Sequence, residues 1–171
     1  MGIESNIKEI ADWNVARNNL NLDTTLEEEM LSEEFNEFIM AETLESMVDA
    51  YADFTYVLEG SRVKYLAEGV PNVELVAWWK RLEEWGAECN SYMFQVLLEH
   101  CFKTWGMDED QVEHLMSDVL HVVIEANKAK SHDKDRYGKV VKGDKWVDPE
   151  LTLSEVINAH TAEHTKNKKT H

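Results

Sequence analysis

SEEFNEFIMAE, residues 32–42, and LESMVDAYADFTYVLEG, residues 44–60, decide the fold of this chain. Both read as helical and largely apolar. Each carries an acidic pair: Glu34 and Glu37 lie three apart in the first, Asp49 and Asp53 four apart in the second. Residues so spaced share one face of a helix. A short antiparallel hairpin of the two helices brings all four carboxylates together. Four converging hard oxygen ligands suit Mg²⁺ or Mn²⁺, and little else offsets their mutual repulsion. A divalent metal of that type usually means phosphate chemistry.

Most glutamates on a helix are solvated, and Glu27, Glu28, Glu29, Glu33 and Glu42 read that way. Glu34 is different, because a helical projection sets it between Met30 and Phe38, at the edge of the apolar stripe. Glu37 lies one step further round. Between residues 43 and 58 nearly every side chain is apolar or small, and the charges are Glu45, Asp49 and Asp53. A helix apolar almost all round is buried, and buried carboxylates need a partner or a metal. The competing reading makes the aspartates a thin solvent stripe. Spacing alone leaves both open.

Working outward, helical periodicity continues on both sides. A first helix is expected over 3–18, with Ile7, Ile10, Trp13 and Val15 as its apolar surface. Asp23, Thr24 or Thr25 can cap the second helix, which buries Leu31, Phe35, Phe38 and Ile39 and gives way near Glu42. The third continues past Gly60 to Leu66, with Gly69 and Pro71 closing it. A long helical stretch follows over 73–104, with a break expected near Gly86. Asp108 caps a helix reaching Lys130. Residues 131–149 are basic and glycine-punctuated, 151–160 form a last helix, and the end of the chain is a polar, fraying tail. The expected organisation is therefore an all-α bundle of five to six helices over 1–160, with a basic C-terminal loop and a polar tail over 161–171.

Composition bounds the function. The chain has 171 residues, 43% of them hydrophobic, which is enough for one domain with a real core. Two prolines and seven glycines disfavour a turn-rich all-β fold. A net charge of −17 argues against nucleic acid as a partner, which calls for a basic footprint. No apolar run approaches the roughly 18 residues of a membrane span. Cys89 and Cys101 read as reduced core thiols, and the expected location is the cytoplasm. Against the −17, the lysines and arginine from Lys128 to Lys145 stand out as a local basic cluster.

The strings EEFNEF, VDAYADFTYVLEG, IEANKAKS and GKVVKG occur in that order. Together they resemble the MazG-like and phosphoribosyl-ATP-pyrophosphohydrolase-like families of all-α nucleoside triphosphate pyrophosphohydrolases, closest to the branch common in bacteria and their phages. The resemblance covers about residues 12–149. It implies Mg²⁺-dependent cleavage of a (deoxy)nucleoside triphosphate to the monophosphate and pyrophosphate, in the host cytoplasm if the chain is phage-encoded. Glu34, Glu37 and Asp53 match the family's metal-holding acids, and Asp49 matches the further aspartate of this branch. Many relatives carry a glutamate where this chain has Ala50, so Asp49 takes over one residue earlier.

By the same resemblance, Asn127 and Lys130 match N-x-x-K, and Lys139 and Lys142 match G-K-x-x-K-G, groups that contact phosphate and sugar oxygens. Trp13 and Asn14 stand where relatives carry an aromatic followed by histidine, as base-binding candidates. Core packing is the equal alternative for Trp13, and Trp146 is a weaker candidate. Either Glu37 or Glu33 can activate the water. Relatives assemble as dimers or tetramers, so a homodimer or homotetramer is expected. The rival activities are phosphoribosyl-ATP hydrolysis and, outside enzymes, an acidic interaction protein such as a DNA mimic. No P-loop is present, and Asp118-x-x-His121 lacks the rest of a di-iron bundle site.

Overall fold

Side-chain caps open four of the helices. Asp23 accepts hydrogen bonds from the backbone N–H of Thr25 and Leu26 and opens the second helix. Thr43 caps the third through Ser46, Asn72 the fourth through Leu75, and Asp108 the fifth. The computed structural model describes residues 3–168. Its elements are α1 (Ile3–Ala16), α2 (Thr24–Met40), α3 (Leu44–Ala67), α4 (Val73–Trp105), α5 (Glu109–Lys128) and α6 (Glu150–Lys168). The protein is an all-α bundle, with no strand among the described residues. No described helix is long and apolar enough to cross a membrane.

α3 is the axis of the bundle, since it alone touches all five other helices. That explains why its sequence is apolar on nearly every side. Val48, Phe54, Ala52 and Ala50 are buried there, against Leu31 and Phe38 of α2, Met93 and Leu97 of α4, and Leu115 and Val119 of α5. Phe35, Phe54 and Trp85 form an aromatic cluster with centroids 6.0–6.4 Å apart.

Several local expectations are corrected. α4 does not break at Gly86; a Cβ there would lie 2.8 Å from Leu58 Cδ1, so the glycine lets α4 approach α3. Val15 and Ile39 are exposed and not part of the core. α1 ends at Ala16, and Asn18 turns the chain with φ 48°. α6 runs beyond His160 to Lys168, with Thr161 buried. The last part of the expected polar tail, residues 169–171, lies outside the described residues. Cys89 and Cys101 are free and buried on α4. Their separation along the helix is about 18 Å at 1.5 Å per residue.

α5 begins with a reciprocal cap: Asp108 accepts from Gln111 N–H at 3.0 Å, and the Gln111 side chain accepts from Asp108 N–H at 2.9 Å. Asp108→Ala is expected to cost about 1 kcal/mol. In a thermal melt this is a fall of roughly 2–4 °C in the midpoint. An unchanged midpoint would show that the cap is solvent-replaceable.

Candidate functional site

Two stripes face each other across the α2–α3 groove. On α2, Glu27, Met30, Glu34 and Glu37 recur at helical spacing, and on α3 so do Asp49, Asp53, Val57, Gly60 and Lys64. All of them line one cleft of about 400 Å³. Only residues 41–43 separate α2 from α3, so the expected tight helical hairpin is present.

The third wall comes from α5 and the basic segment after it. Asn127 closes α5, its side chain bonded back to Val123 O at 2.9 Å. Within the basic segment the Asp135 carboxylate accepts from the N–H of Tyr137 and Lys139, and Gly138 supplies the positive φ of 87°. Lys134 and Val140 then pair as an isolated bridge. This small turn carries Lys139 over the cleft to within 3.5 Å of Glu33. Lys130 and Lys142 also face in, and Trp13 and Asn14 of α1 complete the wall. Eleven of the twelve residues selected from the sequence therefore line the same cleft, and Trp146 borders a smaller space beside it.

Trp13 and Asn14 are built into the wall rather than left free. The Trp13 indole N–H donates to Asn127 O at 2.8 Å, Arg17 lies over its ring at 4.7 Å, and Tyr56 meets it edge-on. Asn14 donates to Ile10 O and accepts from Asn19, each within 3 Å. One amide hydrogen and one lone pair of Asn14 remain uncommitted.

The acids are held where their charges are unfavourable. Burial, then Asp53, then Glu37, pushes the Glu34 carboxyl up to about 8. Burial and Asp49 push Asp53 up to about 7, against the opposing pull of Lys130. Burial and then Asp148 raise Asp49. Burial lowers the Lys130 ammonium, although Asp53 opposes the shift. Asp49 Oδ1 is buried without a hydrogen-bond partner. A hard oxygen set, repelled internally and holding an orphaned buried acceptor, fits a divalent cation.

The four acids share the cleft without closing on one point. Among the described residues, the group whose donor atoms already lie within 4.8 Å of one another is Glu9, His121 and Glu125. Lys128 occupies that group, at 2.7 Å from Glu9 and 2.5 Å from Glu125. Its charge is answered without a metal. A larger cavity of about 540 Å³ lies on the other side of α3, beside Tyr51, Thr55 and Leu58. Three of its polar side chains satisfy one another: Tyr51 donates to Asn90, and Asn90 donates to Thr55.

Sequence reading missed other cleft residues, and Glu27 is corrected outright. It is fully buried, paired with the Lys64 ammonium and accepting from Ser61 Oγ at 2.6 Å. The signal was present, because Glu27 stands seven before Glu34 on the same stripe. Tyr56, Asn19 and Lys64 were also passed over. Comparison of the chain with family models, with curated proteins and with solved structures finds no match.

Proposed function

We propose that the chain is a divalent-metal-dependent nucleotide pyrophosphohydrolase, of the kind its ordered motifs resemble. One observation carries the reading. Acids from α2 and α3 and cations from the loop after α5, distant in sequence, line a single cleft. A triphosphate needs both signs at once, lysines for its oxygens and acids for the cation it brings.

Glu34, Glu37, Asp49 and Asp53 would hold Mg²⁺ or Mn²⁺. Bound there, the metal would neutralise phosphate charge and acidify a water. Lys130, Lys139 and Lys142 would bind the phosphate oxygens and orient the chain for attack. The water oxygen forms a bond to one phosphorus, the bridging P–O bond breaks, and pyrophosphate leaves with that electron pair. The water's proton goes to a carboxylate. Glu37 suits this better than Glu33, because Glu34, Asp49 and Asp53 all feel its charge whereas Glu33 is held by Lys139. Asn14 and Asn19, which line the same cleft, would offer polar contacts to a base. Self-association belongs to the reading, and Met40, Leu66, Val70 and Val73 are among the exposed apolar side chains available for it.

An acidic interaction protein would spread its charge outward, whereas here Glu34, Asp49 and Asp53 turn inward beside lysines. Pyrophosphate release from a panel of dNTPs with Mg²⁺ tests the choice. No release from any triphosphate, with no thermal shift on adding Mg²⁺ and nucleotide, removes the enzyme.

The acids also predict a linkage. Without metal, folded Asp53 and Glu34 keep protons up to about 7 and about 8, while the unfolded chain loses them at about 4. Between those limits the folded state binds more protons at these two groups, so their contribution to stability falls as pH rises from about 4 to about 8. Near-saturating Mg²⁺ at about pH 8 is expected to restore about 2.7 kcal/mol. That corresponds to roughly 5–10 °C in the melting midpoint. The shift should vanish at about pH 5, where both carboxyls are protonated. Equal Mg²⁺ shifts at the two pH values would refute a carboxylate metal site.

A further inference from the structure

Trp13 and Arg17 stand one helical turn apart at the end of α1, and both reach across to the end of α5. The last carbonyls of a helix have no intrahelical partners. Here Trp13 Nε1 donates to Asn127 O at 2.8 Å, while Arg17 Nη2 donates to Lys128 O at 2.7 Å and to Lys130 O at 3.3 Å. The guanidinium lies over the Trp13 ring, 4.7 Å from its centroid, and its positive charge suits the negative end of the α5 dipole. The turn that carries the pair is intact, with Arg17 N–H on Trp13 O at 3.2 Å.

This clamp sits at the root of the third wall of the cleft. Asn127 and Lys130 line the cleft, whereas Arg17 does not. Lys130 is held through both of its backbone groups: its N–H donates to Asn127 O at 3.1 Å, and its carbonyl accepts from Arg17. The basic loop departs at the next residue, where Ser131 N–H and Ser131 Oγ both donate to Val141 O. A lysine ammonium rides on a long flexible stem and loses much freedom when it is fixed. It returns to one place only if the backbone beneath it does.

We infer that Arg17 is a positioning residue for Lys130: by tying the end of α5 to α1, it keeps that ammonium aimed at the phosphate oxygens of the substrate. The inference rests on the pyrophosphohydrolase reading and adds a residue that none of the four ordered motifs contains. Trp13 is the platform of the clamp, its ring beneath the guanidinium and its N–H committed to Asn127.

Arg17→Met keeps an apolar stem against Trp13 and deletes the donor. KM for the triphosphate is expected to rise about tenfold, the worth of one hydrogen bond to a charged group, with kcat falling less than about twofold. Calorimetric affinity for inorganic pyrophosphate with Mg²⁺ should fall by the same factor. The melting shift produced by Mg²⁺ alone at about pH 8 should stay that of the wild type, because the acids stand on α2 and α3; a general loosening of the bundle would weaken both. Arg17→Lys keeps the charge but loses the fork and the flat stack, so a loss of roughly threefold is expected. It carries the test if Arg17→Met does not fold. In a Lys130→Gln background Arg17→Met should cost nothing further, whereas with Lys142→Gln the two losses should add. Unchanged KM and pyrophosphate affinity, an equal loss of the Mg²⁺ shift, or full additivity with Lys130→Gln overturns the inference.

Failure of the parent reading looks different. If the wild type releases pyrophosphate from triphosphates and Arg17→Met matches it in KM, the hydrolase stands and the clamp has no part in it. If the wild type hydrolyses no triphosphate but binds pyrophosphate through Arg17 and Lys130 together, the positioning role stands and the hydrolase falls. A wild type that does neither overturns both.

Discussion

Glu37→Gln and Asp53→Asn are each expected to lower triphosphate turnover by roughly three orders of magnitude, equivalent to about 4 kcal/mol of barrier. Both changes keep the size of the side chain and remove one negative oxygen from the cleft. The fold should survive them. Asp53 is the clearer case, because burial and Asp49 already oppose its charge, so the amide removes an unfavourable ion from the axis of the bundle. Metal-free Asp53→Asn should therefore melt no lower than the wild type above about pH 7, and higher if the repulsion dominates. Pyrophosphate release and far-ultraviolet circular dichroism separate the two quantities. Full activity in either variant would remove the site assignment.

Lys64→Met should produce the largest loss of stability. Glu27 is fully buried, with the Lys64 ammonium on one carboxylate oxygen and the Ser61 hydroxyl on the other. Replacing only the lysine leaves a buried, unpaired charge, which costs about 3–5 kcal/mol. The melting midpoint should drop by roughly 10–15 °C. Adding Glu27→Leu should recover much of that loss, because a buried pair exchanged for apolar groups is often nearly neutral. The double-mutant cycle in urea measures the coupling. A single-variant cost below about 1 kcal/mol would mean that water reaches Glu27 when Lys64 is gone.

Helix content, order and most boundaries were legible because caps and periodicity are local. Asp23, Thr43 and Asp108 each stand where a helix begins, and each caps it. The grouping of Glu34, Glu37, Asp49 and Asp53 in one cleft was legible for a related reason: a three-residue link leaves two amphipathic helices little choice of geometry. Gly86 was misread because helix-breaking and close packing draw on the same missing Cβ, and only Leu58 on another helix decides between them. Glu27 was misread because its partners, Lys64 and Ser61, stand more than thirty residues away. The basic segment announced its charge but hid its shape. The turn around Gly138 and the seat of Lys142 on Trp146 are tertiary facts with no period to betray them.

The two thiols of α4 have a consequence for handling the protein under oxidising conditions. Cys89 and Cys101 are buried, and burial pushes the Cys101 thiol up to about 11, so few thiolates exist at neutral pH. About 18 Å of intact helix separates them. A disulfide requires Cα atoms within roughly 7 Å. The bond can therefore close only in a molecule whose longest helix has already come apart. Oxidant then works as a one-way ratchet, harmless to the folded chain and locking in each excursion from it. The rate at which a colourless thiol reagent is consumed becomes a clock for how often α4 opens.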